Sequence, residues 1–530
     1  MKFKSKLLIS LMAVISIIAL VIPGCDIGTG AAGDNVYQGS NWTDGYVPII
    51  DADGNLSGDA DLTFSGSTLT ATDLDAPTGR TATYVIASPD SIQKDQADVV
   101  LSGTDDQIIL NQYLLLVSAV KGTLKTFGTI NATGSILIPS NVFWDARDTK
   151  VISSTDKAIT NSDISGGNSN IVIDGLELDG NSQLYGILFY KCADSVVKNC
   201  SVYSLSSLGI RFWDCTDSDI ENNLVFDING TGIGISSLLY SAGATNTSLR
   251  NNVTKNTVRE CDEECIEVEF GAYDTTVEGN RCINETAPGD CINIDDWTVE
   301  SKVLNNTCKN AVANGIDINR TRNSVCTGNS CEMSTTTYSA SGIKVAYSSG
   351  VHISDNKIIW YSSRVNTRGI YILDSFAVTA SFNILNGWYN RLGEGISIKT
   401  DMLGDYPSPC SVIGNTVTGF SYGINFDVAA STYSRGYICS NNNCYYQNWS
   451  GIEVGLCQES LFSENMIIGY LQYGIDIYRS KNCTYSENTC SADIRALSYS
   501  LLTSNASSGA MSIRVADRGL FQSGQFVFLS

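Results

Sequence analysis

The sequence predicts an all-β solenoid in which short parallel strands wind through about a dozen stacked coils and line up as three sheets. Two recurring elements predict it. The first is glycine or cysteine, isoleucine, any residue, then an apolar residue. It runs from Gly186-Ile187-Leu188-Phe189 and Gly209-Ile210-Arg211-Phe212, through Cys265-Ile266-Glu267-Val268 and Gly342-Ile343-Lys344-Val345, to Gly474-Ile475-Asp476-Ile477. Its steps are mostly 23 to 28 residues, with one of 33. Three strands and three turns fill such a repeat, and alternation places the isoleucine inside and the residue after it outside. The second element is apolar, two residues, asparagine, one residue, apolar. It marks Asn280, Asn306, Asn329, Asn356, Asn383, Asn415, Asn443, Asn465 and Asn488. Asparagines stacked at one bend can bond from coil to coil, and asparagine tolerates left-handed turns.

Ahead of the repeats, Lys2, Lys4 and Lys6 precede the apolar stretch Leu7 to Val21, the pattern of an export leader over residues 1–24. Ile22-Pro23-Gly24-Cys25 follows and resembles the lipobox of bacterial lipoproteins, with Pro23 where a small residue is usual. The resemblance implies lipidation of Cys25 and a membrane partner. An uncleaved apolar anchor and ordinary secretion are the alternatives, and all three place the body outside the cytoplasm.

Residues 25–80 alternate short strands with turn signals, as at Leu62-Thr63-Phe64 and Leu69-Thr70-Ala71-Thr72. They are similar to the small β repeats of phage tail fibres and read as a stalk. The solenoid is expected over 81–500. Thr104-Asp105-Asp106-Gln107 fits a capping box with Thr104 as N-cap, and the apolar run Ile108 to Val120 predicts a helix over the solenoid's open end. Residues 501–530 read as the start of a further small β module that is cut short.

A capping helix before stacked three-strand coils resembles the right-handed parallel β-helix of the pectate-lyase-like superfamily, over roughly residues 83 to 495. The resemblance implies the fold, and the activity is left to the residues of the site. Gly289-Asp290-Cys291-Ile292 is similar to the aspartate–cysteine segment of polygalacturonases. Their Gly-His-Gly motif and the second aspartate before the cysteine are missing, and so is the arginine–proline signature of pectate lyases.

Composition removes several functions. Asp and Glu outnumber Lys and Arg 55 to 33, for a formal charge of −22, a field that repels nucleic acid. The single histidine, His352, rules out chemistry built on paired histidines and is expected in a surface turn. Cys282, Cys308 and Cys331 each follow a ladder asparagine by two residues. Disulfides between coils and a stack of reduced thiols are both open, and three in a row cannot all pair with one another.

The outward positions of the glycine–isoleucine strand run Arg211, Gly234, Glu267, Asn293, Asp317, Lys344, Tyr371, Ser397, Asn425, Glu453 and Asp476, with Glu269, Asp295 and Asn319 in the adjacent column. Carboxylates therefore gather at Glu267, Glu269, Asp295 and Asp317, expected to face solvent. Such a set could hold Ca²⁺, and Lys344 or Arg320 could then act as the base of a polysaccharide lyase. Glu267 and Asp295, on a diagonal of roughly 8 Å, also suit an inverting glycoside hydrolase. The catalytic candidates are Glu267, Asp295, Asp317 and Lys344. Asn293, Trp297, Asn319, Arg320 and Tyr371 are expected to bind substrate, and Trp360 adds an outward aromatic. The long step places a loop, about Ser236 to Thr247, beside the patch. The function expected is recognition, with or without cleavage, of a surface polysaccharide; a non-catalytic adhesin or tail-fibre-like rod is the alternative.

Overall fold

A computed structural model describes residues 83–237, 247–283, 289–334, 340–361, 367–387, 393–400, 409–428, 434–478 and 480–491, with short strands at Ile49–Ile50, Leu56–Ser57, Leu62–Ser65, Thr68–Ala71 and Ser512–Arg514. The leader, Cys25 and most of the Ser236 to Thr247 loop lie outside the described residues. In the stalk segment, Leu62–Ser65 and Thr68–Ala71 form an antiparallel hairpin. Among the described residues, no helix is long and apolar enough to cross a membrane.

The body is a right-handed β-solenoid of about twelve turns, in register from coil to coil. In sheet 1 the glycine–isoleucine strands stack, as Thr231–Ser236, Ile266–Glu269, Ile292–Ile294, Ile316–Asn319 and Ser341–Ala346. Sheet 2 continues each coil, with Asn252–Thr254, Thr276–Glu278, Lys302–Leu304 and Val325–Thr327. Sheet 3 completes it, with Thr257–Cys261, Arg281–Ile283, Thr307–Lys309 and Ser330–Met333. Ile233, Ile266, Ile292, Ile316 and Ile343 align as one buried column, and so do the apolar residues two places on. That one stripe of each strand is what the solenoid removes from water. The glycine before the isoleucine sits at the corner where sheet 3 turns into sheet 1. A Cβ on Gly342 would stand 2.4 Å from Ile358 Cγ2, so the close approach needs glycine there.

The helix forms over Gln107–Val120 and buries Leu110, Leu114 and Val117. It starts later than the capping box suggested. Asp106, not Thr104, is the N-cap, and its carboxylate accepts from the backbone N–H groups of Gly103 and Asn131. Gln107 turns to the first coil, where Oε1 accepts from Thr133 N–H. The helix is thus tied to strands by tertiary bonds that no local motif specifies.

The asparagine ladder is longer than the sequence pattern indicated, starting at Asn223 and Asn256. At each rung Oδ1 accepts the backbone N–H of the asparagine one coil before, at 2.8–3.1 Å. Asn442, rather than Asn443, holds the rung below Asn465; Asn443 opens the next strand of sheet 3. The left-handed backbone falls on the residue before each asparagine, such as Lys255, Asn305 and Asp355, because the side chain must point inward to reach the next coil.

Cys282, Cys308 and Cys331 are free thiols, fully buried. They align in register inside the solenoid, in line with the thiol-stack reading. Two other expectations change. Trp360 is fully buried, its Nε1–H donating to Arg368 O, so it offers no outward ring. His352 opens a strand of sheet 2, exposed on its outer side, instead of occupying a turn.

Candidate functional site

The outer face of sheet 1 carries the candidate site. The registers reproduce the expected outward column: Arg211, Gly234, Glu267, Asn293, Asp317, Lys344 and Tyr371 follow one another on successive coils. Sequence reasoning missed a further column, two residues before each isoleucine, that carries Thr231, Glu264, Asp290, Asn314 and Ser341. It was legible in principle, because the same offset repeats in every coil; the corner glycine hides it by breaking the simple alternation.

These side chains point away from the core, yet they are not solvent-facing as expected. Asp317 is 6% exposed and Arg211 only 3%. The long side chains lie along the sheet and cover one another. Arg211 runs across Gly234, where a Cβ would stand 2.1 Å from its Nη1. It reaches two coils along, with Nη1 2.6 Å from Glu267 Oε2 and Nη2 bonded to Glu269. Thr231 Oγ1 adds a longer bond to the same Glu267 oxygen at 3.4 Å. Lys344 Nζ lies 2.7 Å from Asp317 Oδ2. Asn314 links two acids: its backbone N–H donates to Asp290 Oδ1 at 2.6 Å and its Nδ2 to Asp317 Oδ2 at 3.4 Å. At the rim, Asn319 Nδ2 donates to Asp295 Oδ2 at 3.2 Å and Arg320 pairs with Asp296 at 3.0 Å.

Burial dominates the electrostatics. It pushes Glu269 up to about 8, against the opposing pull of Arg211, and Glu264 to about 7 with Glu267 adding repulsion. Burial also raises Asp290 far above the carboxylate range, with Asp317 contributing, and raises Asp295. It lifts Asp317 despite Lys344. Burial alone would lower Lys344, but Asp317 turns the change into a rise, so this lysine is charged at neutral pH. Among the described residues, no three His, Cys, Asp or Glu side chains converge as a metal-ligand set. Glu267 and Glu269, two of the four expected Ca²⁺ ligands, instead engage Arg211.

Of the expected binding residues, Asn293 sits between Glu267 and Asp317 in the main column. Trp297 stands at the corner beyond sheet 1, 44% exposed, with φ +70°. Tyr371 lies one coil past Lys344, its ring 4.0 Å beneath the Arg368 guanidinium. The structure therefore brings Glu267, Glu269, Asn293, Asp295, Asp317, Asn319 and Lys344 onto one face, with Arg320 and Trp297 along its edge and Tyr371 at its far end.

Residues 130–308 match the family model described as a right handed beta helix region. No curated protein matches the chain. Two solved structures share the architecture. The A-module of the Azotobacter vinelandii mannuronan C-5 epimerase AlgE4 aligns at 14% identity over 62% of this chain and 96% of its own, with TM-score 0.52. The A-module of AlgE6 from the same organism aligns at 13% identity over 64% and 96%, also at 0.52. A tailspike of E. coli bacteriophage HK620, solved with a pentasaccharide, aligns at 13% identity over 75% and 76%, with TM-score 0.44. For the two A-modules, at these identities, the likeness is one of fold.

Proposed function

We propose that this is an extracytoplasmic protein, tethered through Cys25, whose sheet 1 face over residues 264–346 binds a polysaccharide and hydrolyses it by acid–base chemistry. The observation that carries this is the juxtaposition, on three adjoining coils, of buried carboxyls held to different degrees by cations. Lys344 bonds to Asp317 and opposes the upward push of its burial, while at Glu269 burial outweighs the bonded Arg211, and Glu264 and Asp290 are pushed toward the protonated form. Inverting hydrolysis needs one carboxyl of each kind. Glu269, protonated at neutral pH and still partly exposed, is the general acid. Asp317, two coils along and oriented by Lys344, is the base that activates water. Stacked coils repeat about every 4.8 Å and a strand rises about 3.3 Å per residue, so the backbone positions of Glu269 and Asp317, two coils and two residues apart, are separated by roughly 12 Å, and the two carboxyls must lean toward each other to reach the ~6.5–9.5 Å of inverting enzymes. Elimination has less support, because its base would be Lys344, which Asp317 keeps protonated, or Arg320, which is paired with Asp296.

The test is a polysaccharide panel assayed for binding and for new reducing ends. Glu269→Gln and Asp317→Asn should each lower cleavage about 100-fold or more and leave binding within a few-fold. Binding without cleavage in the wild type would support the adhesin alternative. If no polysaccharide binds, the face is solvated surface.

A further inference from the structure

Three buried acceptor oxygens on this face have no hydrogen-bond partner: Asn293 Oδ1, Asp317 Oδ1 and Asn319 Oδ1. They belong to two adjoining coils. Asn293 and Asp317 are register partners, and Asn319 follows Asp317 two residues along the same side of the strand. An unmet buried acceptor costs about 1–3 kcal/mol, and three in one patch are seldom left without a purpose. All three need a donor. The neighbouring cations do not supply it: Arg211 gives Nη1 and Nη2 to Glu267 and Glu269 and its Nε is bonded to none of the three acceptors, Lys344 is bound to the other oxygen of Asp317, and Arg320 to Asp296. Six carboxyls, Glu264, Glu267, Glu269, Asp290, Asp295 and Asp317, surround the patch.

We infer that the glycan of this face carries a free, protonated amine, and that the amine docks against Asn293, Asp317 and Asn319. The inference depends on the polysaccharide reading above and narrows it to the amino sugars. An ammonium brings three donors and one positive charge, which matches three orphaned acceptors in an acid-rich setting. An acetylated amine brings one donor and no charge. A uronate brings a carboxylate, an acceptor that the three orphaned acceptors cannot satisfy and that the Asp317 carboxyl disfavours.

Calorimetry on the full chain at pH 6, with glucosamine, N-acetylglucosamine and polyuronate hexasaccharides as probes, tests this. The glucosamine hexamer should bind at least about tenfold more tightly than either of the others, and added salt should weaken it. Its binding should release protons, because a nearby ammonium favours ionised carboxyls. Titration in two buffers of different ionisation enthalpy counts them. Asn293→Leu with Asn319→Leu should remove the preference; should that variant fail to fold, the proton count on the wild-type chain decides. Equal or tighter binding of the acetylated or uronate hexamer, or no proton release, would overturn the amine while leaving a polysaccharide site in place. Binding of none of the three would remove the amine proposal, and the wider panel above then decides whether the face binds any polysaccharide.

Discussion

Arg211 and Glu267 are joined across an intervening coil, Nη1 to Oε2 at 2.6 Å, and Gly234 between them is what lets the guanidinium through. Gly234→Ala should push the Arg211 side chain off its path. The expected loss is about 1–3 kcal/mol, the range for overfilling a packed site, read as a lower unfolding midpoint in urea. Arg211→Ala should cost more, about 3–5 kcal/mol, because it strands two buried glutamates. An unchanged midpoint in both variants would mean the ion pair contributes nothing.

The ladder assignment predicts a contrast between neighbours. Asn442→Ala removes the acceptor for Asn415 N–H and the donor to Val412 O, so it should destabilise by about 1–3 kcal/mol. Asn443→Ala, one residue on, should stay within about 0.5 kcal/mol. Thermal or urea unfolding of the two variants side by side checks the rung directly.

Stability should fall as pH rises from about 4.5 to about 8. Glu264 and Glu453 titrate near 7 and Glu269 near 8 in the folded chain, against 4.5 for an ordinary glutamate. In that window the folded state holds more protons than the unfolded one, so raising the pH favours unfolding; above both values the penalty is constant. Melting curves across this range should decline and then level off, and Glu269→Gln should remove the latest part of the decline.

The proposed tether predicts that Cys25→Ser releases the protein from the membrane fraction. Retention in that variant, followed by fractionation and blotting, would point to the apolar stretch Leu7 to Val21 as the anchor.

The solenoid was legible in the sequence because each coil must bury the same stripe, so Ile266, Ile292, Ile316 and Ile343 recur at one place in the repeat. The main outward column followed from the same periodicity. The site's chemistry did not. Alternation tells which side of a strand a residue is on, and so it placed Glu267 and Asp317 outside; it does not tell how much neighbouring side chains cover them. Glu269 is buried by an arginine 58 residues earlier, and Asp290 meets Asp317 through Asn314 on the next coil. Residue spacing alone settles the fold of this chain, since local alternation and a fixed step are sufficient to stack coils. Which acids are protonated, and which acceptors await a donor, depends on contacts between coils, where packing excludes water and sets the dielectric each charge experiences.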